Sequence, residues 1–164
     1  LTTFLVSTGA RPEVLADVEP PQLYLSVDAP TEPIFADVVR PMDDDAWENL
    51  LASLDVLAEQ EGRTTIRTTL VGRQNATDPT GYAALYERAD PDFVELKAYM
   101  HVGHSRERLD REAMPAHGDV SAFADRVREH LPEYDVKREA PPSNVVLLAK
   151  DEDTWVDELE PPGQ

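Results

Sequence analysis

Apolar and polar positions alternate in short runs along this chain, and longer stretches of helical period separate those runs. Thr3–Ser7 (TFLVS) is short and rich in β-formers, which predicts a strand closed by a turn at Thr8-Gly9. Pro12 suits the first turn of a helix that Glu13-Val14-Leu15-Ala16 continues and Pro20-Pro21 ends. Leu23–Asp28 alternates: Leu23, Leu25 and Val27 face one way, Tyr24, Ser26 and Asp28 the other. A polar face on an internal strand predicts the inside of a barrel or a ligand cleft. After the loop at Ala29-Pro30, a short helix is predicted over Ile34–Val39, interrupted by Pro41. Asp43-Asp44-Asp45 then places acids at the start of a long helix, where the dipole favours them. Trp47, Leu50, Leu51, Leu54 and Leu57 form its core stripe, and Gly62 closes it.

Thr64–Val71 predicts the third strand, with Arg67 and Thr69 on one face and Ile66, Thr68 and Leu70 on the other. Asn75-Ala76-Thr77 matches a glycosylation sequon and is treated as a chance match. Thr80–Ala89 reads as a helix with Tyr82, Leu85 and Tyr86 inward, and Pro91 precedes the fourth strand. There Phe93, Glu95, Lys97 and Tyr99 share a face opposite Val94 and Leu96. Gly103–Gly118 is a long polar loop, and Asp119 is predicted to cap a helix with Val120, Phe123, Ala124 and Val127 on one face. Tyr134–Arg138 and Val145–Lys150 predict a pair of strands at a sheet edge, and residues 151–164 an acidic, loosely held tail. Strands alternating with helices imply a parallel sheet with crossover helices, either half of a (β/α)8 barrel or an open sheet. Function in that class sits at the C-terminal strand ends. Thr8, Ser26–Asp28, Arg67–Thr69 and Glu95–Tyr99 all lie at or near those ends.

The 164 residues suffice for one sizeable core, and the 41% hydrophobic content is that of a globular chain. No apolar run approaches the length of a membrane span. The absence of cysteine excludes disulfides, thiolate catalysis and cysteine-ligated metal within this segment. The net charge of −18 repels nucleic acid at ordinary salt. Yet only Lys97, Lys137 and Lys150 are lysine among the 15 bases, and acid-rich, lysine-poor surfaces are those of halophile proteins. At 1 M salt the Debye length is about 3 Å, and the global charge then no longer argues against an RNA partner.

Within Asp92–Ser105 the chain gathers Glu95, Lys97, Tyr99, Met100, His101, His104 and Ser105. A glutamate and a lysine on one face of an apolar strand imply a structural ion pair or a functional role. A desolvated Lys97 suits a Schiff base or general base, whereas the neighbouring Glu95 would keep it protonated. His101, His104 and His117 are a conceivable metal set, but Gly103 interrupts their spacing, so hydrogen-bonding or substrate roles are preferred and no metal ligand is assigned. Arg106, Arg108 and Arg111 form a basic cluster suited to phosphate or carboxylate. Gly-rich phosphate-loop patterns are absent.

TFLVSTGARPEVL (Thr3–Leu15), QLYLSVDAP (Gln22–Pro30), TTIRTTLVGRQN (Thr64–Asn75), PDFVELKAYMHVGHSRERL (Pro91–Leu109), the MP-x-H of Met114–His117 and VVLLAK (Val145–Lys150) together resemble the later two-thirds of the wyosine base-forming family, the tRNA 4-demethylwyosine synthases. The Lys-x-Tyr-Met-His-Val-Gly run is specific to it. The resemblance implies an α/β fold: a partial (β/α) barrel of the radical S-adenosylmethionine (radical SAM) type over residues 1–97, a wyosine base-formation extension of strand, helix and strand over 98–150, and the acidic tail. It implies a lyase that joins a two-carbon unit from pyruvate to N1-methylguanosine beside the anticodon of tRNA-Phe. Its cofactors would be S-adenosyl-L-methionine and [4Fe–4S] clusters, and the cluster cysteines and the pyruvate-binding lysine would precede this chain. The segment alone would be inactive.

By the same resemblance, Thr8, Gly9, Ser26, Asp28 and Arg67 are cofactor-binding, and Glu95 and Lys97 catalytic. Tyr99, Met100, His101, His104, Ser105, Arg106, Met114 and His117 are substrate-binding, with Tyr99, Met100 and His101 holding the methylated base out of its stack. A cytoplasmic monomer without membrane contact is expected. Ala98, Ala116 and Asn144 replace an expected glycine, tryptophan and arginine. Two other classes stay open: a tRNA-binding platform without chemistry, and an unrelated barrel aldolase using Lys97.

Overall fold

A computed structural model describes residues 3–150 of the chain. Its strands are β1 (Leu5–Ser7), β2 (Gln22–Ser26), β3 (Arg63–Leu70), β4 (Phe93–Ala98), β5 (Asp135–Ala140) and β6 (Val145–Ala149). Its helices are α1 (Pro12–Ala16), α2 (Glu32–Val39), α3 (Ala46–Ala58), α4 (Gly72–Asn75), α5 (Pro79–Ala89) and α6 (His117–Arg128). The six strands form one sheet in the order β1-β2-β3-β4-β6-β5. The first four are parallel, as the alternation of strands and helices predicts. The β5–β6 hairpin adds antiparallel to β4, with β5 at the edge.

The two faces of the sheet differ as the sequence alternation requires. Leu23, Leu25, Val27, Ile66, Leu70, Val94, Leu96, Val146 and Leu148 are buried on one face. They share a single core with Leu15 of α1, Leu50, Leu54 and Leu57 of α3, Tyr82 and Tyr86 of α5, and Val120, Phe123 and Val127 of α6. Thr68, a polar residue on this buried face, satisfies its hydroxyl by donating to the Val27 carbonyl (2.7 Å) while sharing a hydrogen bond with the Tyr86 hydroxyl (2.6 Å). On the opposite face Tyr24, Ser26, Arg67, Thr69, Glu95, Lys97, Val145 and Leu147 are only half-buried.

Three local expectations change. Asp119 does not cap α6: the helix begins at His117, and the Asp119 carboxylate accepts from the Ala116 amide at 2.9 Å from within the first turn. Helix α2 starts at Glu32, before Ile34, with Pro33 in its first turn. It ends on Arg40 in the left-handed region, and Pro41, which has no amide hydrogen to donate, does not continue it. The polar stretch Gly103–Gly118 is not all loop but carries two 3₁₀ turns, Gly103–Glu107 and Arg111–Ala113. The predicted acidic tail lies outside the described residues.

Candidate functional site

The parallel strands deliver their C-terminal ends to one rim, and each end is shaped by a different device. After β1 the chain turns at Gly9, whose φ is +75°. A methyl group there would sit 3.0 Å from Leu50 Cδ1 and 3.2 Å from Leu25 Cδ1, so the position requires glycine on two counts. The buried Ser53 hydroxyl donates to the Gly9 carbonyl at 2.9 Å, tying the turn to α3. Thr8 is exposed beside it.

After β2, Asp28 curls back onto β3 and accepts the Thr69 amide on Oδ1 at 2.7 Å. Burial pushes the Asp28 carboxyl above its ordinary range; the Thr69 amide, then the Lys97 and Arg67 charges, act against that rise. Asn75 completes this end of the rim. It is fully buried, and its Nδ2 donates to both the Asp28 and Thr69 carbonyls at 2.8 Å. Its Oδ1 accepts the Val71 amide at 2.6 Å. Sequence reasoning gave Asn75 no role: it stood only as the first residue of a chance sequon and the last of the TTIRTTLVGRQN segment.

Deeper on the half-covered face, Arg67 and Glu95 stand opposite each other on adjacent strands. Arg67 Nε donates to Glu95 Oε1 at 2.8 Å, and the guanidinium lies 4.9 Å from the centre of the Tyr24 ring. Glu95 is therefore not paired with Lys97. Residues two apart on a strand are separated by about 6.6 Å of rise, whereas strand neighbours lie about 4.8 Å apart. Lys97 sits beside Thr69, half-buried, and makes no ion pair or hydrogen bond among the described residues.

Beyond β4 the backbone stays close to the sheet for one residue, the Tyr99 amide donating to the Leu70 carbonyl at 2.8 Å. The buried Tyr99 ring places its hydroxyl 3.2 Å from His101 Nδ1. The loop then folds on itself. The Ser105 hydroxyl donates to the Val102 carbonyl at 2.5 Å and Arg106 Nε to the His101 carbonyl at 3.1 Å. Met100 and Val102 remain exposed. His104 is almost wholly exposed and 3.5 Å from Glu107. Met114 is half-buried, and His117, at the start of α6, has its Nε2 2.7 Å from Glu139 Oε2 on the edge strand β5.

The structure thus brings Ser26, Asp28, Arg67, Glu95 and Lys97 onto one sheet face. It places Tyr99 and His101 just beyond that face. It does not bring the three histidines together: each has a different partner, and among the described residues no group of three or more His, Asp or Glu is arranged to hold a metal ion. Tyr24 and Glu139 also belong to the surroundings of the site residues, and only the placement of Tyr24 on the polar face of β2 was legible in advance. No helix among the described residues is long and apolar enough to cross a membrane.

Known proteins resemble this chain over most of its length. The family described as wyosine base formation matches residues 88–150. The S-adenosyl-L-methionine-dependent tRNA 4-demethylwyosine synthase of Pyrococcus horikoshii is 43% identical over 156 residues, covering 92% of this chain and 46% of that protein. The synthase of Methanocaldococcus jannaschii is 40% identical over 90% of this chain, and the human synthase, TYW1, 35% over 91%. A structure of TYW1 with a lysine-pyruvate adduct bound superposes with a TM-score of 0.82 at 38% identity, over 92% of this chain and 47% of that one. A crystal structure of archaeal TYW1 gives 0.74 at 35% identity. The chain spans about half the length of the archaeal relatives it matches, not the two-thirds that the motifs suggested. It belongs to the wyosine base formation family, alongside S-adenosyl-L-methionine-dependent tRNA 4-demethylwyosine synthases.

Proposed function

We propose that in the complete protein this chain supplies part of the active site of a radical SAM tRNA 4-demethylwyosine synthase. That lyase condenses pyruvate with N1-methylguanosine in tRNA-Phe. The observation that carries the reading is the convergence of Ser26, Asp28, Arg67, Glu95 and Lys97 on the half-buried sheet face, opposite the one on which the described helices pack. Such a face, with its charges half-buried, matches the interior of a partial barrel more closely than a solvated surface.

The donor set fits S-adenosylmethionine. Ser26 and the second carboxylate oxygen of Asp28 suit ribose hydroxyls or an ammonium group, and Lys97, which has no acidic partner among the described residues, suits a carboxylate. When bound, S-adenosylmethionine supplies the radical chemistry of the reaction. The residues do not fit a [4Fe–4S] cluster, because the chain has no cysteine, so its ligands would lie outside this segment. Tyr99, Met100 and His101 hold the methylated base, with the Tyr99 ring fixed by burial and the Met100 side chain free to pack on it. Arg106, tied to its own loop by Nε, keeps its terminal nitrogens for phosphate. The acid-rich, lysine-poor surface reads as adaptation to high salt, where tRNA recognition leans on shape and stacking.

Turnover tests this directly. The complete protein, reconstituted anaerobically with its clusters, is given S-adenosylmethionine, pyruvate and methylated tRNA-Phe, and the nucleoside product is followed by mass spectrometry. Lys97→Met and Glu95→Gln are expected to lower product formation by about a hundredfold while tRNA binding persists. Full activity in both variants refutes the assignment. Borohydride trapping on Lys97 of a carbonyl substrate other than pyruvate would instead favour the aldolase reading. Retained tRNA affinity with no product under any reconstitution would favour the platform reading.

A further inference from the structure

We propose that Asn75 is a positioning residue for the S-adenosylmethionine site, acting through Asp28. The inference rests on the reading of the strand-end rim as that site. Ladder pairing of β2 with β3 ends at Ser26–Arg67, and one more bond follows, from the Val27 amide to the Arg67 carbonyl at 2.9 Å. Beyond that point neither strand can satisfy its neighbour by regular pairing, yet Asp28 and Thr69 must hold a defined geometry if their side chains are to meet a ligand. The Asn75 amide fills the gap. It is fully buried and uses both N–H donors, on the Asp28 and Thr69 carbonyls, and its oxygen on the Val71 amide. No other side chain of its size offers two donors and an acceptor in one planar group.

Asp28 is thereby pinned at both ends. Its carboxylate Oδ1 is held by the Thr69 amide and its carbonyl by Asn75, which leaves Oδ2 as the oxygen available to a ligand. The geometry that delivers Asn75 is itself constrained. Helix α4 is a single turn that opens on Gly72 at φ +35°, and it swings Asn75 back beneath the strand ends. A methyl group on Gly72 would lie 3.1 Å from the Ala113 carbonyl oxygen, so the same turn packs against the segment that leads to Met114.

The test measures S-adenosylmethionine affinity by calorimetry in the complete protein for Asp28→Asn, Asn75→Ala, Asn75→Asp and the double variant Asp28→Asn/Asn75→Ala. Each single substitution is expected to weaken binding by about tenfold, as for loss of one buried hydrogen-bonded anchor. The double variant is expected to lie within about threefold of the weaker single, because both changes act on one group. Asn75→Asp keeps the size and the bond to Val71 and is expected to match Asn75→Ala. Independent, multiplying effects overturn the proposal. So does unaltered affinity in a folded Asn75 variant when Asp28→Asn is impaired. Unaltered affinity in Asp28→Asn overturns both this proposal and the reading of the rim beneath it. Should the Asn75 variants fail to fold, hydrogen exchange in the unsubstituted protein decides. Saturating S-adenosylmethionine is expected to slow the Thr69 and Val71 amides by roughly tenfold, and unchanged rates overturn the proposal.

Discussion

Arg67 and Glu95 offer the sharpest test of how the open sheet face is held together. Nε and Oε1 are 2.8 Å apart, and the two side chains retain 32% and 19% of their exposure. Two unit charges about 4 Å apart interact by about 4 kcal/mol at an effective dielectric of 20. Ordering of two long side chains and residual solvent screening reduce that figure. Fully exposed pairs yield about 0.2–1 kcal/mol, and removing one member of a fully buried pair costs about 3–5 kcal/mol. Their intermediate burial puts Glu95→Gln at about 2 kcal/mol, or a Tm lower by about 4–8 °C for a chain of this size. Arg67→Met loses in addition the stacking on Tyr24, worth about 0.5–1 kcal/mol. Urea unfolding of the complete protein and the variants Arg67→Met, Glu95→Leu and the pair would give the coupling energy, expected at about 1–2 kcal/mol. A coupling below about 0.5 kcal/mol would show that the two charges are solvated independently, and the account of this face as a protected interior would fail.

Thr68→Val is expected to cost about 2 kcal/mol in thermal or urea unfolding, because it leaves the buried Tyr86 hydroxyl and the Val27 carbonyl without their shared partner; a neutral effect would mean the network is not formed. Gly9→Ala is expected to destabilise by about 1–3 kcal/mol through its positive φ and the approach of Leu50, and a Tm within a degree of the parent would contradict that geometry. Asp28 titrates with the opposite sign to a salt-bridged acid. Its carboxyl is raised in the fold, so the native state holds the proton more tightly between the ordinary and the raised values, and stability falls as pH rises through that window. Asp28→Asn should therefore be more stable than the parent at neutral pH while binding S-adenosylmethionine less well, and parallel stability–pH curves for the two would refute this.

The strand-and-helix order, the core stripes and the polar face of β2 were all legible, because a period of two or 3.6 needs only the chain itself. Register was not. Arg67 and Glu95 were each conspicuous as charges in apolar strands, yet nothing local says that the two fall opposite each other. Pairing is a property of two strands at once, and the sequence offered Lys97 as the nearer partner. Asn75 was invisible for a related reason: its three partners lie just past β2, on β3 and in the turn after β3, and only tertiary structure assembles them. The start of α6 was misplaced because an acid in the first turn serves the helix from inside as well as from the cap.

The two margins of the sheet are unlike. Strand β5 carries Lys137, Arg138 and Glu139 and is irregular between Val136 and Arg138, features that discourage another strand from adding. Strand β1 has one neighbour among the described residues and leaves Phe4, Leu5 and Val6 exposed. Any strand addition to this sheet therefore proceeds in one direction. For the segment expressed by itself, colloidal behaviour follows from this asymmetry and from the net charge of −18. Dilute buffer keeps copies apart by repulsion, and molar salt removes that protection and lets the apolar margin adhere to whatever it meets.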